Sequence, residues 1–350
     1  MIPVRAWAAH SASGPLAPWQ LDRRDPGPRD VRIDILWCGV CHSDLHFVRG
    51  DWGPIAYPAV PGHEIVGRVV VTGSEVTDLA AGDLVAVGCL VDSCRTCPSC
   101  AAGLENYCDQ GGTGTYMGVE QETGRPTYGG YSSGIVVDRH FVFRLPTGLD
   151  PASAAPLLCA GITTYSPLRH WQVGRGTRVG IVGLGGLGHM GVKLAAAMGA
   201  EVTVFTTSAG KERDAARLGA SRVIRSREPD QMARTAESLD VIIDTVSAPH
   251  DLGPLFSALY RDGTLVLVGM PAVPHPPFSA TPLINRRQSL AGSGIGGIPE
   301  TREMLDFCAE HRIVADIEII PMDHINEAWE RMLRSDVKYR FVIDSSTLTP

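Results

Sequence analysis

Two patterns of hydrophobic and polar residues divide the chain near residue 150. Up to about Leu149, short stretches that alternate apolar and polar residues lie between turns rich in glycine and proline, as in VRIDILW, EIVGRVVVTG and LVAVG. Alternation with a period of two is typical of strands with one buried face. We therefore expect this part of the chain to form an irregular β-rich domain.

From about Pro151 the pattern changes to apolar strands separated by helical stretches. The candidate strands are TRVGIV, EVTVFT, SRVIR, DVIIDTV, TLVLVG and QSLAGS, and stretches such as GHMGVKLAAAMGA and KERDAARLGA lie between them. Six short apolar strands with intervening helices predict an α/β fold with a doubly wound parallel sheet. The last fifty or so residues, from PETREMLDFCAEHR to YRFVID, add further helices and strands.

Composition and charge narrow the classes of function. The length of 350 residues favours two domains, and the net charge of −7 is spread without a basic run, which argues against nucleic acid and anionic membranes as partners. No apolar run approaches the roughly 20 residues of a membrane span, and the N-terminus lacks a secretory signal pattern. We expect a cytoplasmic protein whose clustered cysteines bind metal rather than form disulfides.

Four of the nine cysteines lie in VDSCRTCPSCAAGLENYC, with the spacing C-x2-C-x2-C-x7-C. Four thiolates at this density can close a tetrahedral shell around one Zn²⁺, which predicts a structural site. Loose surface thiols or transient disulfides are the alternative, disfavoured because exposed thiols oxidise readily. A zinc ribbon that contacts nucleic acid is disfavoured by the lack of basic residues nearby. The predicted ligands are Cys94, Cys97, Cys100 and Cys108.

A second set of metal ligands is spread over three motifs. WCGVCHSDLHFV, PGHEIVG and LLCAGITTYSP offer Cys41, His63 and Cys159. Three protein ligands leave a fourth position for water or substrate, as catalytic zinc requires. Spacing alone leaves ordinary packing open as the role of these residues, above all for Cys159 in its apolar run.

A glycine-rich turn follows the first strand of the parallel sheet, in GIVGLGGLGHMGV. Its G-x-G-x-x-G pattern stands between a strand and an apolar helix, which predicts a dinucleotide site with the pyrophosphate at the helix N-terminus. The residues of this turn are Gly183, Gly185, Gly186, Leu187 and Gly188.

The end of the next strand, VFTTSAGK, lacks the acidic residue that an NAD enzyme places on the ribose hydroxyls. Hydroxyl groups and a lysine would instead bind a 2′-phosphate, which predicts NADP(H). The alternative is a polar loop that opens a helix. The residues concerned are Thr206, Thr207, Ser208 and Lys211.

Together these motifs resemble the zinc-containing medium-chain alcohol dehydrogenases, in particular the cinnamyl alcohol dehydrogenase branch and its bacterial broad-range aldehyde reductases. The resemblance runs from CGVCHSDLH to DVKYRFVID, nearly the whole chain. It implies a GroES-like, zinc-binding catalytic domain of residues 1–150 and 295–350, and a Rossmann NADP-binding domain of residues 151–294.

The resemblance also implies individual roles. It makes Cys41, His63 and Cys159 the catalytic zinc ligands and the four-cysteine loop the structural site, two zinc ions per chain. Further residues would act at the zinc, in proton transfer and at the cofactor. These are Glu64 approaching the zinc during ligand exchange, Asp44 orienting the zinc-bound histidine, Ser43 and His46 relaying a proton, His42 facing the pyrophosphate, and Thr163 near the nicotinamide.

Family positions that line the substrate pocket match Trp52, Leu90 and Ile295. An aromatic and aliphatic wall suits apolar aldehydes, although Trp52 could equally pack in a core. The three remaining cysteines are assigned to packing. They are Cys38, Cys89 and Cys308. No catalytic role is assigned to the other histidines, among them His170, His250 and His275.

The sequence therefore predicts a zinc-dependent alcohol dehydrogenase, working as an aldehyde reductase with NADP(H). Its substrates would be small alcohols or aldehydes, and the resemblance implies a homodimer, with a tetramer as the alternative. One rival function keeps the fold but reduces conjugated double bonds or imines. A more distant rival is a non-enzymatic NADPH-binding protein.

Overall fold

The computed structural model describes residues 1–348 and contains two compact units. The first, called the discontinuous unit, comprises residues 1–159 together with the chain from Gly296 onwards. The second, called the inserted unit, comprises Ala160–Ile295. Each unit has its own sheet and its own buried core.

The N-terminal part of the discontinuous unit is built mainly of strands. In Asp30–Val40 the apolar residues Ile33 and Ile35 are buried on either side of the exposed Asp34, as alternation predicts. The strands are β1 Ile2–Ala9, β2 Leu16–Arg23, β3 Asp30–Val40, β4 Ile65–Thr72, β5 Leu84–Val87, β6 Leu90–Asp92, β7 Thr113–Gly114, β8 Gly134–Asp138 and β9 Val142–Arg144, and the helices are α1 His42–Arg49, α2 Pro98–Ala101 and α3 Pro151–Ala154.

The inserted unit is a six-stranded parallel sheet flanked by helices, which confirms the doubly wound prediction. Its strands are β10 Arg178–Val182, β11 Glu201–Thr206, β12 Arg222–Arg225, β13 Leu239–Asp244, β14 Leu259–Leu267 and β15 Ser289–Gly292. Its helices are α4 Ala160–His170, α5 Gly188–Ala197, α6 Glu212–Leu218, α7 Pro229–Ala233, α8 Gly253–Ala258 and α9 Thr281–Arg286.

The strand order in this sheet is β12-β11-β10-β13-β14-β15. From β10 the chain continues to β11 on one side and reaches β13 on the other, so the direction of winding reverses between β10 and β13. Ligands of doubly wound sheets bind outside the carboxyl ends of the strands at such a reversal. Val182, Thr206 and Asp244, the last residues of β10, β11 and β13, mark this edge.

The chain then returns to the discontinuous unit and completes its larger sheet. The elements are α10 Ile298–His311, β16 Ile317–Pro321, α11 Ile325–Leu333 and β17 Arg340–Asp344. The sheet order is β16-β17-β3-β4-β5-β9, and β8 also pairs with β3. Antiparallel pairing sets Phe341 opposite Val40, the residue before Cys41.

None of the helices in residues 1–348 is both long enough and apolar enough to cross a membrane.

Candidate active site and metal centres

The four cysteines of the VDSCRTCPSC loop converge. Each offers a sulfur, and the four sulfurs lie within 4.8 Å of one another. A tetrahedron with Zn–S bonds of about 2.3 Å has S···S edges of about 3.8 Å, and the Cys94 and Cys100 sulfurs are 3.9 Å apart. The donor set therefore fits a four-coordinate, closed zinc site.

Backbone amides in this loop point at the sulfurs. The N–H groups of Cys97 and Cys100 donate to the sulfurs of Cys94 and Cys97, each at 3.4 Å. Amides of Thr96 and Cys97 lower the pKa of the Cys94 thiol to about 6. Burial instead raises the pKa of Cys100 to about 12. A cation would have to supply the charge that keeps all four sulfurs deprotonated.

The zinc loop is tied to the rest of its unit by a carboxylate that the sequence did not single out. Glu105 is buried and accepts the backbone N–H of Ile298 and the Nε2–H of His140, both at 2.9 Å. Ile298 is the first residue of α10, so the carboxylate satisfies an otherwise free amide at the start of that helix.

The second cluster brings together the three dispersed motifs. Cys41 caps α1, His63 immediately precedes Glu64 and β4, and Cys159 follows a 3₁₀ turn over Ala155–Leu158. One ligand atom from each of Cys41, His63, Glu64 and Cys159 lies within 4.8 Å of the others, and all four residues are buried. The Cys41 and Cys159 sulfurs are 3.9 Å apart.

Asp44 organises this cluster from behind. It is fully buried, and its two carboxylate oxygens accept four hydrogen bonds. The donors are His63 Nδ1 at 3.0 Å, the Gly62 N–H at 3.0 Å, the Cys41 N–H at 2.9 Å and the Tyr131 hydroxyl at 3.1 Å. A carboxylate only accepts, so the proton of a neutral His63 sits on Nδ1 and the Nε2 lone pair is available to a metal.

Electrostatics favour a cation in this cluster. Burial lowers the pKa of the His63 imidazole, but Asp44, Cys89 and Cys41 together raise it well above its usual value. The contact with Cys159 lowers the pKa of the Cys41 thiol well below its usual range, and the charge of Arg340 adds to this. A thiolate beside a second thiol and an imidazole is a soft donor set that suits Zn²⁺.

Arg340 is a part of this site that sequence reasoning missed. Its guanidinium is 3% exposed, forms an ion pair with Glu64 and lies 3.7 Å from the Cys41 sulfur. The only signal in the sequence is a charged residue at the start of the apolar strand RFVID.

Ser43 and His46 lie on α1 next to the cluster. The Ser43 hydroxyl is 3.6 Å from the Cys41 sulfur. His46 lies one turn further along the helix, and its Nδ1 is 2.7 Å from Asp51 Oδ2. The ring of the neighbouring His42 stacks near that of His46, with centroids 6.4 Å apart. Burial lowers the pKa of His42.

A run of aromatic rings leads from Trp52 to the cluster. Trp52 packs edge-on against Phe47, which packs edge-on against Tyr116, whose ring centroid is 5.5 Å from that of His63. The Tyr116 hydroxyl and the Trp52 Nε1 are buried without a hydrogen-bond partner in the described structure. Tyr116 is absent from the sequence prediction, because GTGTYMG carries no motif.

Leu90 and Ile295 are the other two residues predicted to line the substrate pocket. Leu90 is buried in β6, with its side chain towards Gly112. Ile295 is the last residue of the inserted unit and has φ of 44°. Their pocket roles stay predictions.

Of the cysteines assigned to packing, Cys38 and Cys308 are fully buried. Cys89 is half-buried, and its packing role stays a prediction. Its thiol contacts the Leu158 carbonyl at 3.5 Å, and its pKa is lowered by the Cys159 thiol and by the charge of His63. Cys89 therefore lies beside the second cluster.

In the inserted unit, the glycine-rich turn adopts the close-packed form that the motif predicts. Gly183 has φ of 88°, and a side chain on Gly188, the first residue of α5, would collide with the Gly183 carbonyl. Space opposite Gly185 is open, with no atom within 4 Å of where a Cβ would lie. The turn thus forms a cradle at the start of a helix, which fits a pyrophosphate.

The predicted 2′-phosphate residues gather beside this turn. Thr206 ends β11, its hydroxyl accepts the Ser208 N–H at 3.2 Å, and Thr207 and Ser208 are exposed. The Lys211 ammonium donates to the carbonyl of Leu184, inside the turn, at 2.7 Å. Thr163 is buried on α4.

Comparison with known proteins agrees with this geometry. The family model described as the alcohol dehydrogenase GroES-like domain matches residues 27–147, and the model of the zinc-binding dehydrogenases matches residues 186–310. The chain is 59% identical to aldehyde reductase YahK of Escherichia coli, over 99% of both chains. It is 55% identical to NADP-dependent alcohol dehydrogenase C of Mycobacterium tuberculosis, over 99% of this chain and all of that one.

Among solved structures, a cinnamyl alcohol dehydrogenase from Sorghum bicolor is similar with a TM-score of 0.95 and 47% identity, over 98% of both chains. The chain belongs to the zinc-dependent alcohol dehydrogenase family and is an enzyme of that class. The family resemblance and the GroES-like plus Rossmann fold class predicted from the sequence are confirmed.

Proposed function

We propose that this enzyme reduces apolar aldehydes, and oxidises the corresponding primary alcohols, with NADP(H) as its cofactor. The observation that carries the proposal is the buried set of Cys41, His63 and Cys159, oriented by Asp44. The discontinuous unit would contain the catalytic domain, for which the sequence predicts residues 1–150 and 295–350. The inserted unit would contain the cofactor domain, for which the sequence predicts residues 151–294.

In this proposal Cys41, His63 and Cys159 hold a catalytic zinc, and Cys94, Cys97, Cys100 and Cys108 hold a structural one. Zinc supplies Lewis acidity to the substrate oxygen, and NADPH supplies the hydride. Glu64 stays close enough to the ligand atoms to join them when a ligand exchanges, while Arg340 balances its charge.

The proton that the alcohol oxygen gains or loses needs a path to water. The Ser43 hydroxyl lies beside Cys41 and is the group we assign to the first transfer. His46 then exchanges the proton with solvent, since its side chain is 17% exposed and Asp51 orients its ring.

The cofactor assignment rests on the residues at the end of β11. Thr206, Thr207, Ser208 and Lys211 offer hydroxyls and a positive charge and no carboxylate, which suits a 2′-phosphate. The name of the Mycobacterium tuberculosis relative, NADP-dependent alcohol dehydrogenase C, supports the same choice. His42 and Thr163 would contact the pyrophosphate and the nicotinamide.

Trp52, together with Leu90 and Ile295, would line an apolar substrate pocket, and a cinnamaldehyde-like substrate fits the aromatic run that ends at His63. Cinnamyl alcohol dehydrogenase from Sorghum bicolor is named for an alcohol of this kind. A homodimer and a cytoplasmic location remain predictions of the resemblance.

The test compares two initial rates of cinnamaldehyde reduction by zinc-loaded protein. One is measured with NADPH and the other with NADH at the same concentration. Fast turnover with NADPH and little with NADH is expected. A rate with NADH equal to that with NADPH would overturn the assignment of NADP(H) and leave the rest of the proposal standing. No turnover with either cofactor, in protein that holds two zinc ions, would favour the reduction of conjugated double bonds or imines.

A further inference from the structure

A buried carboxylate lies at the cofactor edge of the parallel sheet and has no place in the motifs discussed above. Asp244 is the last residue of β13 and pairs with Val182, the last residue of β10. Its side chain is 1% exposed. Removing an ionised carboxylate from water is costly unless a partner compensates it.

The partner is His250, in the segment that follows β13. His250 Nε2 lies 3.0 Å from Asp244 Oδ2, at ion-pair distance. Neither atom makes a hydrogen bond to any residue of the described structure, so this ion-pair contact is what compensates them. The other carboxylate oxygen, Oδ1, accepts the N–H of Val246 at 3.1 Å. Each group of this pair therefore depends on the other for compensation.

The surroundings of the ring select its charged form. His250 Nδ1 lies 2.9 Å from the carbonyl oxygen of Ala248, which can only accept a hydrogen bond. Nε2 faces a carboxylate, which when ionised also only accepts. Both ring nitrogens are thus placed to donate, as they do in an imidazolium.

The segment between the two charged groups forms one wall of the glycine-rich turn. A side chain on Gly183 would come within 3.0 Å of Val246 and 3.1 Å of Thr245, and one on Gly188 would come within 3.2 Å of Thr245. The Thr245 hydroxyl also donates to the Val182 carbonyl at 2.7 Å. Movement of residues 245 and 246 would therefore displace the cradle assigned to the pyrophosphate.

The same pair reaches the loop after β14. The backbone carbonyl of Asp244 accepts the N–H groups of Val268 and Gly269, both at 3.0 Å. The rings of His250 and His275 meet edge to face with centroids 4.9 Å apart, and His275 Nδ1 lies 3.3 Å from the His250 N–H. Two loops at the carboxyl edge of the sheet are thus joined through one histidine.

We propose that the Asp244–His250 ion pair is a clamp that positions the cofactor-binding face of the glycine-rich turn, so that affinity for NADP(H) depends on the charged form of His250. The proposal rests on the proposed function, since it takes NADP(H) to be the ligand of this turn. His250 acts as a positioning residue through Thr245 and Val246.

A pH dependence follows from the clamp. The contact with the Asp244 carboxylate raises the pKa of His250 above its ordinary value of 6.5. Asp244, Asp251 and His275 are the titratable groups in the segments that pack against the ring, and both carboxylates favour the charged form. A group whose pKa is raised in the folded state keeps its interaction at low pH and loses it as pH rises through that pKa. Affinity for NADPH is therefore expected to fall as pH rises through the raised pKa of His250.

The experiment measures the dissociation constant of NADPH by fluorescence titration of the zinc-loaded, nucleotide-free enzyme. The pH runs from about 7 to about 9, a range in which the 2′-phosphate is already ionised. Four proteins are compared: wild type, His250→Ala, His250→Gln and His170→Gln. Gln keeps a neutral donor towards Asp244 but cannot titrate. His170 is an exposed histidine at the end of α4 in the same unit and serves as the matched control.

His250→Ala should weaken NADPH binding at pH 7 by roughly tenfold, as expected for the loss of a bond between charged groups. His250→Gln should bind NADPH with no step in affinity across the pH range, whereas wild type and His170→Gln should keep the step. Thermal unfolding of each protein separates a folding defect from a binding effect, because a purely structural role would lower the melting temperature without removing the step.

The clamp would be overturned if His250→Ala bound NADPH as tightly as the wild type does. It would also be overturned if the affinity of His250→Gln for NADPH changed with pH as that of the wild type does. If the wild type binds NADH in preference to NADPH and His250→Gln still removes the step, the clamp stands and the cofactor assignment fails. A wild-type protein that binds neither nucleotide would overturn both.

Discussion

The carboxylate of Glu64 and the guanidinium of Arg340 form an ion pair inside the discontinuous unit, with side chains 0% and 3% exposed. Glu64 follows the cluster residue His63, and the same guanidinium lies 3.7 Å from the sulfur of Cys41. One buried cation thus faces two negatively charged members of the proposed catalytic zinc site. It lowers their repulsion and leaves Asp44 to orient the histidine.

Replacement of Arg340 by Met should destabilise the protein by about 3–5 kcal/mol, since it leaves the buried Glu64 carboxylate without its partner. The free energy of unfolding in urea, measured without added zinc, checks this. The double variant Glu64→Gln with Arg340→Met should recover part of the loss, because neither charge of the pair is then left buried without its partner. Arg287→Met is the control, since its ion pair with Asp262 is exposed and should be worth less than about 1 kcal/mol. Equal losses for the two single variants would contradict the prediction.

Asp44→Asn should weaken zinc binding at the second cluster by about 10- to 100-fold, the usual cost of losing an outer-shell carboxylate. The amide cannot accept from all four donors, and it removes the charge that keeps the proton on Nδ1 of His63. Competition with a chromogenic chelator gives the affinity. Tyr131→Phe removes one of the four donors and no charge, so its effect should be smaller. An unchanged affinity in Asp44→Asn would show that the carboxylate does not support the ligand set.

Cys97→Ser should lower the zinc content from the proposed two ions per chain to about one, because a closed structural site needs all four sulfurs. The remaining zinc should sit at the second cluster, and denaturation should begin at lower temperature because metal binding contributes to folding. Metal analysis after gel filtration provides the measurement. Cys308→Ala, a buried cysteine outside both clusters, should keep both ions. If Cys97→Ser still held two zinc ions, the second ion would have to bind outside the four-cysteine site.

What the sequence could predict depends on how local each feature is. The six strands of the inserted unit and the four-cysteine loop follow from residues close together in the chain, and both appear where the pattern places them. The dispersed set of Cys41, His63 and Cys159 carries little signal in its spacing, and family resemblance rather than periodicity singled it out.

Contacts across long separations escaped prediction. Arg340 is 299 residues from Cys41 and reaches it only because β17 pairs with β3. Tyr131 and Tyr116 lie in loops without periodic structure, so no pattern reveals that one binds Asp44 and the other packs near His63. Such partners are fixed by strand order and loop packing, which single-sequence patterns do not determine.

The cofactor assignment is tested most directly at Lys211. Its ammonium lies at the glycine-rich turn, 2.7 Å from the Leu184 carbonyl, where it would meet a 2′-phosphate. Lys211→Glu should raise the KM for NADPH by roughly 100-fold, since it replaces an attraction by a repulsion, whereas the KM for NADH should change by less than about threefold.

The matched control is Arg213→Glu, which makes the same change of charge at an exposed position two residues further on, in α6. Salt screens exposed charges over about 8 Å at physiological ionic strength, so its effect on NADPH should be small and should vanish at high salt. Steady-state kinetics with both cofactors at two salt concentrations measure this. If Lys211→Glu changed the KM for the two cofactors equally, the lysine would be supporting the turn through Leu184 rather than recognising the phosphate, and selectivity would have to come from the hydroxyls of Thr206 to Ser208.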